Sequence, residues 1–261
     1  PPRSTPLYSS AASDVYKRQT PGLEAVAIET EVPHLVAAAK RAVEAGCHIH
    51  HDKPGGVTLS DFRELLVLAK NRELTVQMGY MLRYNPAFQF MYRAVREGWL
   101  GEIMEVDAMM GKTAAGSLRR ELGRYDGGGM FELACHLVDS VVHLLGKPER
   151  VHAFTRRTQE DGVADNQLAV LEYAKATATV RCNHRDVLGF SRRRFQIAGE
   201  RGVIEIHPLE PGNQLELSLA GAQGGYKRGL VGNAAAELAV KFGGVAAGRA
   251  GVAWALVQKH Y

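Results

Sequence analysis

The sequence predicts an α/β region followed by an α+β region, two sheets of different kind within one 261-residue chain. Three observations carry this. Up to Gly98, strand-like and helix-like segments alternate, the rhythm of a parallel sheet with crossover helices. From Val151 onward strand-like segments follow one another, which suggests an antiparallel sheet with one covered face. Between them, Gly127 to Gly146 reads as one largely apolar helix.

The elements follow in order. LEAVAIET, residues 23–30, is a short apolar run suited to a buried strand. A helix over residues 33–45 follows, with Val32 just before it and Leu35, Val36, Ala39 and Val43 at helical spacing, and with Gly46 where a helix C′ residue belongs. CHIHHDKP reads as strand and turn. Residues 59–71 form a second helix, with Thr58 or Ser60 as its cap. Residues 75–80 are a third strand, and a helix over 86–97 stops at Gly98. GEIMEVDAMMG is a strand, placing the boundary between the two regions near Leu100. RVHAFTRR, LAVLEYA, ATATVRCNH, RRFQIAG, GVIEIHP and LELSLA supply the second sheet.

Both ends of the chain stand apart. Residues 1–19 show no sustained period and no apolar run of signal-peptide type. SSAASDVYKRQ is what the codons of a transposase sequencing adapter encode, so residues 1–19 are read as a non-native segment rather than a disordered natural terminus. Residues 229–261 are dominated by Ala, Gly and Val, and glycines interrupt every helical window. They read either as a loose terminal helix or as a shifted reading frame.

Composition excludes several function classes. The chain is 46% hydrophobic and 23% charged, ordinary for a globular protein. Net charge is +4 with pI about 9.0, and apart from SRRR at 191–194 the basic residues are scattered. No nucleic-acid surface is expected, nor a membrane span, since no apolar run reaches the ~18 residues required. Cys47, Cys135 and Cys182 are widely spaced, which favours reduced thiols and a cytoplasmic setting; a lost export signal stays open.

Chemistry concentrates in three places. In GGGMFELACHLVDSVVHLLG, Glu132, His136, Asp139 and His143 are spaced by 4, 3 and 4, one stripe of a single helix. An otherwise apolar helix must aim such a stripe at partners or a cavity. The triple glycine before it permits a close backbone approach. HIHHDKPGG lies at the carboxyl end of a parallel strand, where open α/β sheets place ligands. There Lys53 precedes Pro54 at a bend whose bond is open to the cis form, poised to donate a hydrogen bond or pass a proton. In GYMLRYNPAF, Arg83, Tyr84 and Asn85 close the next strand and precede a helix opening with Pro86.

Together, AIETEVPH, AGCHIHHDKP, the arginine–asparagine–proline stretch, EGWLGEI and GGG before a helix resemble the Gfo/Idh/MocA family over about residues 20–225. AGCHIHHDKP matches that family's "AGKHVLCEKP" pattern. The resemblance implies an incomplete Rossmann-type NAD(P)-binding domain over residues 20–100. Residues 101–228 would then be a substrate and dimerisation domain with a large, mostly antiparallel sheet. It implies NAD or NADP as cofactor, a sugar, cyclitol or related polyol as substrate, and a homo-oligomer formed through the second sheet. Lys53 would hydrogen-bond the reacting oxygen, and His136 would be the general acid/base. Glu132 stands where the family has an orienting aspartate, Asp139 at the acidic position three residues after the histidine. Thr30, Glu31, His34, Asp52, Lys53 and Pro54 would line the nicotinamide side. Arg83, Tyr84, Asn85, His136 and Asp139 would meet substrate.

Two departures are charge-conserving: Asp52 replaces a glutamate and Glu132 an aspartate. No G-x-G-x-x-G follows a strand before Ala25. The expectation is that the first nucleotide-binding portion has been cut away, leaving this fragment inactive. The resulting reading is an NAD(P)-dependent oxidoreductase moving hydride to or from a secondary alcohol. Two alternatives stand beside it. One is a metal-dependent hydrolase or isomerase using His48, His50, His51 and Asp52 with Glu132 and His136. The other is a non-catalytic fragment.

Overall fold

The computed structural model describes residues 22–210, 215–220 and 226–230. The expectations for residues 1–19, and for the tail beyond Leu230, lie outside the described residues. The chain divides into two compact units between Gly79 and Tyr80. One holds a three-stranded sheet and the other an eight-stranded one.

In the first unit, strands β1 (Ala25–Ile28), β2 (His48–His51) and β3 (Val76–Met78) lie side by side and parallel. Helices α1 (Val32–Glu44) and α2 (Leu59–Asn71) connect them, as the alternating rhythm predicts. The apolar stripe of α1 is buried through Leu35, Ala39 and Val43. Of the two cap candidates Thr58 does the work: its hydroxyl oxygen accepts from the Asp61 amide at 3.2 Å. The bond Lys53–Pro54 is cis.

The second unit opens with a 3₁₀ turn at Met81–Tyr84 and helix α3 (Pro86–Arg96). Strand β4 (Ile103–Gly111) follows, then three helices: α4 (Gly116–Leu122), α5 (Gly128–Glu132) and α6 (Cys135–Leu145). The remaining strands are β5 (Arg150–Arg156), β6 (Asn166–Glu172), β7 (Thr177–Asn183), β8 (Arg194–Gly199), β9 (Gly202–Ile206), β10 (Leu215–Ala220) and β11 (Tyr226–Leu230). Their order in the sheet is β11-β10-β9-β8-β4-β7-β6-β5. Every pairing is antiparallel except that of β4 with β7. Mixed α/β architecture with one parallel and one large, mostly antiparallel sheet is the fold class the sequence predicts.

Helices α3 and α6 pack on one face of the large sheet. Phe88, Met91, Leu137 and Val141 from the helices meet Val106, Met110, Val180, Phe195 and Ile204 from the strands. Phe88 and Phe195 are fully buried, with ring centroids 5.2 Å apart. Each such side chain contributes about 1.5–3 kcal/mol through removal from water.

The structure departs from the sequence reading at four points. The units divide at Gly79/Tyr80, ahead of the expected boundary near Leu100, because α3 buries its apolar face in the second core. The single helix expected over 127–146 is two, broken by a turn at Leu133–Ala134. Helix α4 was not anticipated. Gly229 and Leu230, expected in the tail, belong to the edge strand β11.

The triple glycine explains how α5 reaches the sheet. Gly128 has φ of +47°, and a methyl there would overlap the Ala164 carbonyl oxygen. A methyl on Gly129 would overlap Nδ1 of His184, a fully buried side chain at the end of β7. Gln167 closes the contact: its Oε1 accepts from the Met130 amide at 2.8 Å, and its Nε2 donates to the Gly127 carbonyl at 3.0 Å. Substituting Gly129→Ala forces overpacking against a ring with no room to retreat. The expected outcome is a loss of about 1–3 kcal/mol in denaturant-monitored unfolding. A neighbouring control, Gly162→Ala, meets no atom there and carries only the strain of its positive φ.

Candidate active site

In the first unit, the predicted cofactor residues gather on two neighbouring loops. Thr30 and Glu31 end β1 and open α1, and His34 lies one turn into that helix; all three are exposed. Asp52, Lys53 and Pro54 leave β2. Because β1 and β2 are adjacent and parallel, both loops emerge from carboxyl ends of strands. The histidines of β2 alternate between faces, as a strand requires. His48 Nδ1 accepts from the Thr75 amide at 3.0 Å, and His50 Nδ1 lies 3.4 Å from Gln77 Oε1. His51 is fully buried, its ring 5.8 Å from that of Phe62. Burial holds its pKa below the ordinary 6.5, with the Gly55 backbone and Asp52 acting in the opposite sense.

In the second unit, the centre of the arrangement is His136, 5% exposed in the first turn of α6. The Tyr80 ring meets its imidazole edge-on with centroids 6.1 Å apart. Three residues later on α6, Asp139 is gripped by Arg83. Nε donates to Oδ2 at 2.8 Å and Nη2 to Oδ1 at 2.6 Å. One turn further, His143 stacks edge-on with Tyr92 at 4.6 Å. The Tyr92 hydroxyl donates to Ser140 Oγ at 3.1 Å, and Ser140 donates to the His136 carbonyl at 3.0 Å.

Burial drives both phenols up to about 12, with the nearby Cys135 and Asp139 adding to it at Tyr80. Neither tyrosine is then a base at neutral pH. Each keeps its hydroxyl proton, and that of Tyr92 is donated to Ser140. That leaves the two histidines of this cluster, His136 and His143, as its general acid/base residue types, and His136 is the one at the Tyr80 ring.

Glu132 is placed differently from its position on the expected stripe. The turn at Leu133–Ala134 separates it from α6, and Lys112 Nζ approaches both its oxygens, at 3.1 and 3.0 Å. His184 Nε2 lies 3.4 Å from Oε2. Sequence reading missed Lys112, His184 and Tyr80; the signal available was that Lys112 follows one predicted strand and His184 ends another. Cys182, beside His184 at 3.6 Å, is held by burial at a pKa of about 12, which excludes it as a nucleophile.

The three expected substrate residues of the RYN stretch part ways. Arg83 joins Asp139. Asn85 is 5% exposed and its Oδ1 caps α3, accepting from the Ala87 amide at 2.9 Å. Tyr84 is 63% exposed. Among the described residues, no three His, Cys, Asp or Glu side chains form a group able to hold a metal ion. A shallow depression of about 440 Å³ is lined by residues such as Arg201, Glu205 and Glu216, none of them in the His136 cluster. No described helix is long and apolar enough to cross a membrane.

Residues 88–205 match the model of the GFO/IDH/MocA C-terminal domain. Over this segment the chain is similar to the C-terminal domain of Gfo/Idh/MocA proteins. It is 28% identical over 206 residues to the uncharacterized oxidoreductase YhhX of Escherichia coli K12, across 77% of this chain and 59% of that protein. It is 29% identical over 174 residues to the trans-1,2-dihydrobenzene-1,2-diol dehydrogenase of Bos taurus, across 66% of this chain and 50% of that one. The crystal structure of YhhX superposes with a TM-score of 0.68 at 25% identity, covering 85% of this chain and 69% of that one. An inositol dehydrogenase homologue from Azotobacter vinelandii, complexed with NADH and myo-inositol, superposes with a TM-score of 0.73. At 18% identity over 84% of this chain and 59% of that one, this likeness is one of fold. The chain spans half to three-fifths of the length of the two sequence relatives.

The buried His51 makes the first unit acid-sensitive. Its folded pKa lies below the unfolded 6.5, so the unfolded state binds the extra proton first. The stabilisation is complete above pH 6.5 and is lost as pH falls through the lower, folded value. Unfolding midpoints measured between pH 7.5 and 5 should fall more steeply for the wild type than for His51→Phe.

Proposed function

We propose that the protein to which this chain belongs is an NAD(P)-dependent oxidoreductase that moves hydride between a nicotinamide and a secondary alcohol of a sugar, cyclitol or related polyol. The observation that carries this reading is His136. In the segment that matches the GFO/IDH/MocA C-terminal domain, its imidazole is nearly buried; the Tyr80 ring meets it edge-on, and Asp139, three residues later on the same helix, is paired with Arg83. The dehydrogenase names of the relatives support the same class of reaction.

The first unit fits the nicotinamide part of such a cofactor. Two loops at the carboxyl ends of adjacent parallel strands present the exposed Thr30, Glu31 and His34 with Asp52, Lys53 and Pro54. Those residues would hold it. When bound, the nicotinamide supplies the hydride acceptor at its C4.

The chain's own residues handle the proton. His136 takes the hydroxyl proton as the carbon is oxidised and returns it in the reverse direction. Lys53 donates a hydrogen bond to the reacting oxygen and so stabilises charge that develops on it. Tyr80, protonated at neutral pH, keeps the imidazole in place by its edge contact and does not compete for the proton. Asp139 acts through Arg83, and Glu132 through Lys112.

In the complete reading frame, His136→Ala and Lys53→Ala should each lower kcat by about 10²–10⁴, the usual worth of a positioned acid/base or oxyanion donor. The assay is reduction of NAD or NADP against a panel of polyols at 340 nm. Near-normal kcat in both variants rejects the assignment.

A further inference from the structure

Within that reading, a lysine outside the three motifs of the sequence bears on His136. Lys112 follows the last residue of β4, and its amide donates to the Asn183 carbonyl at 3.1 Å, which extends the pairing of β4 with β7 by one residue. The Ala114 amide donates to the His184 carbonyl at 2.9 Å, and the His184 amide to the Asp165 carbonyl at 2.7 Å. Lys112 and His184 thus stand on neighbouring strand ends whose backbone is already fixed. Both reach Glu132. The Lys112 ammonium lies 3.1 Å from Oε1 and 3.0 Å from Oε2, and His184 Nε2 lies 3.4 Å from Oε2. The Glu132 side chain is 15% exposed and that of Lys112 22%, so solvent screens the pair only in part. His184 meets α5 at a second point, since a methyl on Gly129 would overlap its Nδ1. Gly129 and Glu132 are three apart, on one face of the short helix.

The carboxylates on either side of His136 are therefore each held by a cation. Asp139, three residues after it, pairs with Arg83, and Glu132, four residues before it, pairs with Lys112. The groups that face α6 from the elements packed on it carry no charge near neutrality. Tyr80, from the turn ahead of α3, and Tyr92, from α3 itself, both keep their protons up to about 12. From β4 and β7 come apolar side chains and the Cys182 thiol, which burial also holds protonated. On the helix itself, Cys135 donates to the Glu132 carbonyl at 3.6 Å and His143 stacks on Tyr92. Further along the sheet, the buried Arg193 is matched by Glu210 at 2.7 Å. An imidazole that takes a proton and gives it back near neutrality needs this balance. An uncompensated anion alongside would favour the imidazolium, and an uncompensated cation would disfavour it.

We propose that Lys112 is a positioning residue for the proton exchange at His136: by holding both oxygens of Glu132 and cancelling its charge, it sets the pH at which the imidazole changes protonation. His184 shares in the holding. Glu132 is then a fixed, compensated group at the end of α5 rather than a second base. The signs follow directly. Without Lys112, the Glu132 carboxylate stabilises the imidazolium, and the base form of His136 is depleted at neutral pH. Without the carboxylate, Lys112 acts in the opposite sense.

The test follows the His136 imidazole of the 261-residue chain by ¹⁵N NMR from about pH 5 to about pH 9, its signal identified by loss in His136→Asn. Lys112→Gln should raise the His136 pKa by about half a unit or more. Glu132→Gln should lower it by a similar amount. The double variant and Lys112→Arg keep the balance of charge, and should each stay within about 0.2 unit of the wild type. A purely structural role would not give shifts of opposite sign. Far-UV circular dichroism reports that each variant is folded; should Lys112→Gln not fold, the downward shift in Glu132→Gln and its reversal in the double variant decide. Shifts of the same sign in the two single variants, or a His136 pKa that neither moves, overturn the role given to Lys112. Failure of the oxidoreductase reading shows elsewhere, as absent NAD(P) reduction in the complete enzyme with these titration shifts intact. In an active complete enzyme, the acid limb of kcat should move with the His136 pKa, upward in Lys112→Gln.

Discussion

The position of His136 depends on three residues that have no side chain. Gly127, Gly128 and Gly129 bring the start of α5 against the opening of β6 and the end of β7, so close that Ala164 and His184 occupy the space where side chains would stand. Gln167 then fixes the register with two hydrogen bonds, one to each end of the glycine run. From that anchor the chain makes one short helix and one turn before α6 begins. Sliding the anchor by one residue would rotate α6 by about 100° and carry His136 away from Tyr80. The backbone approach and the placement of the imidazole are therefore one constraint.

Charge in the second unit is organised in the same economical way. Glu132 is matched by Lys112, Asp139 by Arg83, Asp186 by Arg192 and Glu210 by Arg193. Asp165, fully buried, is held by Arg119 and by the amide and hydroxyl of Thr158. A buried carboxylate stripped of such partners would be strongly destabilising, so these pairs are conditions for the fold rather than additions to it. Their consequence for chemistry is selectivity among groups. The carboxylates are committed to cations, and the phenols of Tyr80 and Tyr92 are held protonated. The buried thiol of Cys182 is likewise inert. Histidine is the residue type left to exchange protons.

What the sequence reveals is local. Helix α2 and strand β10 fall where periodicity puts them, since an amphipathic stripe or an alternating run is complete within its own residues. Strand β4 is legible too, though not its parallel partner β7, because pairing is decided across the sheet. The turn at Leu133–Ala134 is hidden for a physical reason: both residues are good helix formers, so nothing in the local sequence marks a stop. The partners of Glu132 are hidden by distance along the chain. Lys112 lies twenty residues before it, and His184 lies beyond four further elements. The cluster of ionisable residues was visible; the assignment of each carboxylate to its cation was not.

The RYNP stretch shows how one motif can serve two purposes at once. Pro86 starts α3, and Asn85 spends its side-chain oxygen capping that helix, so these two residues build an elbow. The tight turn before it makes positions three apart coincide, which sends Tyr80 and Arg83 to one side while Tyr84 faces solvent. On α6 the same interval separates His136 from Asp139. Two elements of different pitch thus meet in a matched pair of contacts, Tyr80 with His136 and Arg83 with Asp139. Losing the cap at Asn85 would loosen the elbow and with it both contacts, although Asn85 itself touches neither α6 residue through its cap. Reading every polar residue of such a stretch as a substrate ligand overlooks this division: the asparagine makes the geometry, and the arginine uses it.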